Sequence, residues 1–401
     1  MQTCITEQER RIPVFTSCDV AVVGGGIAGV SAALAAARHG KKVLLLERMF
    51  SLGGLATLGL VTIYLPLCDG NGRQVSFGIA EELFRLSIQD GYETDYPDTW
   101  LEPGKKEHGS QRFQVRYNAQ IFAARLEQIL KKAGVEILYG TMVTQVKREK
   151  NRISVLFIEN KSGRQAVLPR SVIDCTGDAD VCVYAGVPTA LYAKKNAMAA
   201  WYYETANGET ELQMLGAADV VPEDEDARIP ESVPGERISG IDAKEISDMM
   251  CRSHTLSVES FLKKGNVSQQ HSLTALAQIP QLRMTRRLRG VYELDEKEQH
   301  IPFDDSIGMI GDWRKRGPVY ELPFRTLYTP ELVNLAVAGR CISVTDEMWD
   351  ISRVIPPCAV TGQAAGCAFA LTEDLTQLDM KELQQLLRRD GVVLHESELP
   401  H

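Results

Sequence analysis

The chain has 401 residues, is 44 % hydrophobic and carries a formal net charge of −9 at pH 7. A chain of this length buries a large core and divides into two lobes, and its acidic balance excludes nucleic acid as an obligate partner, because phosphate binding needs a basic face. Nine cysteines in an odd set, with no Cys-x-x-Cys pair, exclude a disulfide framework, a thiol–disulfide redox motif and a four-cysteine cluster.

The segment ahead of Ser17 is polar and charged and lacks the apolar stretch of a signal peptide. Scattered buried thiols in a reducing cytoplasm are therefore the expectation, with no metal site. From Asp19 to Glu47 the chain reads as an apolar strand (Val20–Val23), the glycine turn Gly24-Gly25-Gly26-Ile27-Ala28-Gly29, a small-residue helix (Ser31–Arg38) and a second strand (Val43–Leu46). Gly24 permits the tight turn, Gly26 lets a pyrophosphate approach the backbone, and Gly29 lets the helix pack on the sheet. The helix N-terminus offers free N–H groups to phosphate. Glu47, about twenty residues on, is placed to accept ribose hydroxyls. The competing reading of Ala21–Ala37 as a membrane span fails, because the run is too short and three glycines interrupt it.

Arg48 leads to the glycine pair of Gly53-Gly54-Leu55-Ala56. At this distance from a dinucleotide fingerprint it looks like the loop that runs beside the pyrophosphate and isoalloxazine of FAD; alone it would be a turn. Leu58–Gly78 reads as a loop and short helix lining the cofactor cavity. Within it Cys68 is a buried bystander before it is a flavin attachment point or a reactive thiol. Amphipathic helices follow at Ile79–Ser87 and Asn118–Ala133, with polar Gly91–Gln111 and a short strand at Arg112–Tyr117 between them.

Strands are predicted at Val135–Tyr139, Thr144–Arg148, Arg152–Ile158 and Gln165–Leu168. The last three look like the small meander of two-dinucleotide-binding-domain flavoproteins, which would set the Val143 backbone against adenine. A strand at Ser171–Asp174 ends in Thr176-Gly177-Asp178, either a ligand-binding sheet edge or a simple helix cap. Acidic Pro222–Asp226 and a helix at Ala243–Lys264 mark an inserted domain. It contains Arg283, Arg286, Arg287 and Arg289, which either bind an anion in the cavity or form structural salt bridges. The strand Asn334–Ala338 ends in Gly339-Arg340. Arg353 then precedes a Gly/Ala-rich helix holding Gly362 and Gln363, whose dipole would face the flavin.

With these pieces in order, the chain resembles the FAD-dependent oxidoreductase family, glutathione-reductase-like two-domain flavoproteins widespread in bacteria. The resemblance rests on GGGIAG…E, GGLAT, IDCTGDAD, RMTRRLRG, YELPFRTL and NLAVAGRCIS…SRVIPPCAVTGQAAG. It implies an α/β fold: a Rossmann-like FAD-binding domain of three β/β/α layers, with a parallel sheet plus β-meander and an inserted α+β substrate or cap domain. Residues 17–75, 135–190 and 331–375 would form the FAD-binding domain and 76–134 an insertion lining the site. Residues 191–330 would form the cap and 376–401 a C-terminal helix and tail. FAD would be held by Gly24, Gly26, Gly29, Glu47, Gly54, Val143, Gly339 and Gln363. Ile27, Ala28, Arg48, Gly53, Leu55, Ala56, Thr176, Gly177, Asp178, Arg340 and Gly362 complete the cofactor-binding set.

The implied reaction is hydride transfer between FAD and a small polar or anionic organic substrate. Arg286 and Arg287 would anchor the substrate, and Arg340 or Arg353 would stabilise developing negative charge. Tyr64, His271 and Tyr292 are the candidate proton donors. No second strand-preceded GxGxxG is found, so the partner is an unidentified electron acceptor or donor rather than a dedicated nicotinamide domain. A flavin subunit needing a partner, a sensor, or an RNA-modifying flavoprotein are the other readings. Covalent attachment and self-association stay open.

Overall fold

The computed structural model describes residues 9–90, 115–216 and 236–399, together with residues 4, 5, 7 and 233. The polar stretch Gly91–Gln111 and the acidic Pro222–Asp226 lie outside the described residues.

In chain order, β1 (Val14–Val23), α1 (Ile27–Arg38) and β2 (Val43–Leu46) build the fingerprint unit. Then come β3 (Ile63–Tyr64), α2 (Ile79–Ile88), β4 (Val115–Arg116) and α3 (Ala119–Lys132). Asn118 caps α3, accepting the N–H groups of Gln120 and Ile121. The strands β5 (Glu136–Leu138), β6 (Met142–Glu149), β7 (Arg152–Asn160) and β8 (Gly163–Asp174) precede the short α4 (Asp180–Tyr184). Next are β9 (Thr189–Leu191), β10 (Ala200–Ala206), β11 (Glu209–Leu215), α5 (Ala243–Lys263) and β12 (His271–Leu276). The chain closes with β13 (Arg286–Leu288), β14 (Ser306–Gly311), β15 (Val319–Pro323), β16 (Leu335–Val337), α6 (Asp346–Ser352), α7 (Ile355–Leu371) and α8 (Met380–Arg389).

The main sheet runs β5-β2-β1-β8-β7-β6, with β16 also paired to β8. β5, β2, β1, β8 and β16 are parallel, and β6 and β7 return antiparallel as the meander. The strand read as two segments, Gln165–Leu168 and Ser171–Asp174, is the single β8. Pro169 breaks the sequence pattern but not the pairing with β1, where it sits opposite Cys18. β1 likewise starts at Val14, because its polar first half pairs with the meander end of β8. α1 starts at Ile27, ahead of the expected Ser31, so the end of the glycine turn, Ile27–Val30, is itself the first helical turn.

α1 and α7 cover one face of this sheet, and glycine sets how closely they approach. A Cβ at Gly362 would lie 2.3 Å from the Ala28 carbonyl oxygen, and one at Gly366 would lie 2.3 Å from that of Ala32. The small residues of TGQAAG therefore let two backbones touch. His39, at the end of α1, hydrogen-bonds Asp390, at the end of α8, at 2.7 Å and ties the C-terminal helix down.

A second antiparallel sheet, β11-β10-β12, carries α5 against it and holds its own apolar cluster around Trp201 and Leu212. β9 pairs with β13, and β14 with β15. The β14–β15 hairpin packs on α7 and α8 rather than on the second sheet. Among the described residues no single helix is long and apolar enough to cross a membrane.

Candidate cofactor and active site

One cavity of about 1040 Å³ opens above the carboxyl ends of β1, β2, β8 and β16 and extends to the second sheet. Ligands of open α/β sheets bind at this edge, and the volume is at the top of the range for small-molecule sites.

At its sheet end the lining includes Gly24, Gly26, Ile27, Ala28, Glu47, Arg48, Gly53, Gly54, Leu55 and Ala56. Gly24 holds φ +103, and its neighbour Gly29 passes so close that a Cβ there would meet the Gly24 carbonyl at 1.8 Å. Gly29 thus packs beneath the turn and is not part of the lining. By contrast, a Cβ at Gly26 would meet nothing within 4 Å. The α1 N-terminus has no side-chain cap, which leaves its first-turn N–H groups facing the cavity. Glu47 Oε2 accepts the N–H of Gly25 at 2.6 Å and Oε1 that of Met49 at 2.7 Å. Burial raises its pKa against these two hydrogen bonds. Tyr117, a buried residue missed in the sequence, donates its hydroxyl to the Ala56 carbonyl at 2.8 Å and holds the glycine-pair loop. No 58–78 helix forms. Val61, Ile63 and Leu65 line the cavity from a loop and β3. Cys68 is buried and does not line it.

Beside this cradle the lining carries Val143 and the turn Thr176-Gly177-Asp178, which abuts Gly24. Asp174, fully buried, organises that turn by accepting from the N–H and hydroxyl of Thr176 and the N–H of Cys182, at 3.1, 2.7 and 3.1 Å. Arg340 then clamps it, donating to the Gly177 carbonyl at 2.9 Å and to both Asp178 oxygens at 3.1 and 3.2 Å. Gly339, Arg340, Arg353 and the uncapped N-terminus of α7 complete this side. Arg353 is ion-paired with buried Asp350.

Besides Gly29, four expected site residues lie outside the cavity lining and are corrections to the sequence reading. Arg286 donates to the Asp178 carbonyl at 2.8 Å and to Asp180 at 2.6 Å, bracing the turn from behind. Arg287, one position on and so on the other face of β13, pairs with Glu293 and Asp346 and lies 4.8 Å over the Trp349 ring. Gln363 accepts the N–H of Ile79 at 2.8 Å inside the α7–α2 contact. Gly362 serves the α1–α7 approach described above. The proton-donor candidates are also displaced. Tyr64 donates to the Ala80 carbonyl, and Tyr292 pairs with Glu298. His271 packs on Phe261, and none of the three lines the cavity. Instead the cavity receives Arg283, Trp201, Tyr184 and Cys358. Burial pushes the Cys358 thiol up to about 12, so it stays protonated at neutral pH.

The parts fit a dinucleotide flavin: an open glycine turn at a free helix end, a carboxylate closing the next strand, and a second helix end on the same cavity. The model of the FAD dependent oxidoreductase family matches residues 19–239 and 234–387, and the chain belongs to that family. The protein is an FAD-dependent oxidoreductase with FAD as its cofactor. It is 28 % identical over 184 residues to a thiamine thiazole synthase of Sulfolobus acidocaldarius, a match spanning 43 % of this chain but only 60 % of that protein. Among solved structures it is similar to a geranylgeranyl bacteriochlorophyll reductase-like protein of Thermoplasma acidophilum, at 16 % identity and TM-score 0.47, covering 94 % of this chain and 82 % of that one. It is also similar to p-nitrophenol 4-monooxygenase of Pseudomonas putida, at 13 % identity and TM-score 0.44, covering 92 % and 84 %.

Proposed function

We propose that the protein transfers a hydride between FAD and a small polar or anionic organic substrate bound at the inner end of the same cavity. One observation carries this reading. The cavity does not stop at the FAD cradle but continues onto β10 and β11, where Trp201, Leu212 and Met214 face it. FAD supplies the two-electron chemistry, and the chain positions the substrate and excludes water. Val61, Ile63 and Leu212 supply the apolar wall. Arg340 and Arg353, each neutralised by its own aspartate, hold fixed dipoles at the cavity without adding net charge.

The test is anaerobic mixing of FAD-loaded protein with panels of small hydroxy acids, amines and unsaturated acids, following the flavin absorbance. Bleaching by one class, or reoxidation of dithionite-reduced protein by another, supports the reading. Turnover seen only after a second protein is added would replace it with a partner-dependent flavin subunit.

A further inference from the structure

Arg283 lines the cavity and is 8 % exposed. Its guanidinium donates to Gln281 Oε1 at 2.9 Å and lies 4.9 Å over the Trp201 ring. Among the described residues no carboxylate pairs with it, whereas Arg340 and Arg353 are held by Asp178 and Asp350. Burial, reinforced by the charges of Arg353 and Arg340 and opposed by Asp350, lowers its pKa to about 9, which still leaves it charged at neutral pH. A buried cation with no counter-ion is an unfavourable arrangement that a bound anion relieves. The α1 N-terminus already serves the phosphate end of the cavity, so this charge is surplus to the FAD cradle.

We infer that Arg283 is the anion anchor of the substrate end, and that the substrate is a small monocarboxylate whose apolar body rests on Val61, Leu212 and Met214. This rests on the substrate compartment proposed above. A monoanion is favoured over a phosphate dianion, because the second charge of a dianion would find no further compensation from Arg283 itself. The planar guanidinium fork matches a carboxylate through two parallel hydrogen bonds.

Calorimetric titration of FAD-loaded protein tests this with benzoate and hexanoate against the uncharged benzamide and hexanamide, and with phenyl phosphate as the dianion. At least one acid is expected to bind, with its amide and the dianion at least roughly tenfold weaker. Arg283→Gln should lose acid binding by a similar factor while keeping its FAD, and Arg289→Gln, an exposed neighbour, should bind as the unaltered protein does. Equal binding of acid and amide, no binding of either acid, tighter binding of the dianion, or undiminished acid binding by Arg283→Gln would overturn the inference. Loss of FAD from a folded Arg283→Gln would overturn it too, since the arginine would then hold the cofactor. The acid–amide comparison needs no variant, so it stands even where Arg283→Gln fails to fold. Flavin bleaching by neutral compounds without acid binding would sink only the carboxylate anchor. Acid binding through Arg283 with no electron exchange with any organic compound would sink only the redox reading.

Discussion

Glu47 Oε2 accepts the backbone N–H of Gly25 across 2.6 Å, so the acid that closes β2 also fastens the turn that ends β1. The carboxylate shapes the fingerprint loop as well as standing where a ribose is read. Two strand ends, 22 residues apart, are thereby locked at one edge of the sheet.

Glu47→Ala releases that turn. FAD affinity of the deflavinated protein should fall at least roughly tenfold, since a charge-assisted hydrogen bond contributes about 1.5–3 kcal/mol. Fluorescence quenching of FAD on titration measures it, and unchanged affinity would refute the dual role.

Gly26→Ala and Gly29→Ala should separate binding from folding. A Cβ at position 26 meets no protein atom within 4 Å, so this variant should fold and lose FAD. At position 29 the Cβ would sit 1.8 Å from a carbonyl oxygen, so destabilisation of about 3 kcal/mol or more is expected. Flavin content against thermal melting distinguishes the two, and FAD retained by Gly26→Ala would contradict the cradle.

Arg340 and Asp178 form a largely buried pair, 17 % and 15 % exposed. Arg340→Met leaves Asp178 without its partner and should cost about 3–5 kcal/mol. The double variant with Asp178→Asn should recover part of that loss in denaturant melts. Strict additivity would show that the two side chains do not act as a unit.

Asp180 is pushed up to about 6, first by burial and then by Asp178 and Asp174, with Arg286 opposing. Its native carboxyl holds a proton to higher pH than the unfolded chain, whose ordinary value is 3.8. Between 3.8 and about 6 the native state therefore binds more protons, and this group lowers stability as pH rises through that window. The penalty is absent below the window and complete above it. Melting temperatures of Asp180→Asn should lack this component of the slope, and curves parallel to the unaltered protein would exclude it.

Much of the fingerprint was legible because it is local. The strand, turn, helix and acid lie within Asp19–Glu47, and a single βαβ unit positions them all. The meander was legible as alternation, but Pro169 hid the continuity of β8, since a missing N–H matters only on the side where a partner asks for it. Tyr117, placed under the glycine-pair loop by β4, left no sequence signal, because its partner carbonyl at Ala56 is remote in the chain.

The arginine run shows the division most clearly. Composition and spacing by themselves marked an acidic chain with a dinucleotide fingerprint and an arginine run, and the resemblance of its motifs to a flavoprotein family implied the FAD edge. Which cation faces the cavity was decided by tertiary pairing. β13 pairs antiparallel with β9, so Arg286 and Arg287 fall on opposite sides, where Asp180, Glu293 and Asp346 neutralise them. Arg289 is exposed, and Arg283, in the extended chain ahead of the strand, is left in the cavity without a carboxylate. In the same way the Gly/Ala helix was readable as a close-packing element, but only the packing of α7 on α1 and α2 made Gly362 a packing residue and set Gln363 on Ile79, outside the cavity lining. Local chemistry is written in neighbouring residues; charge compensation and helix contact depend on which distant backbone arrives beside them.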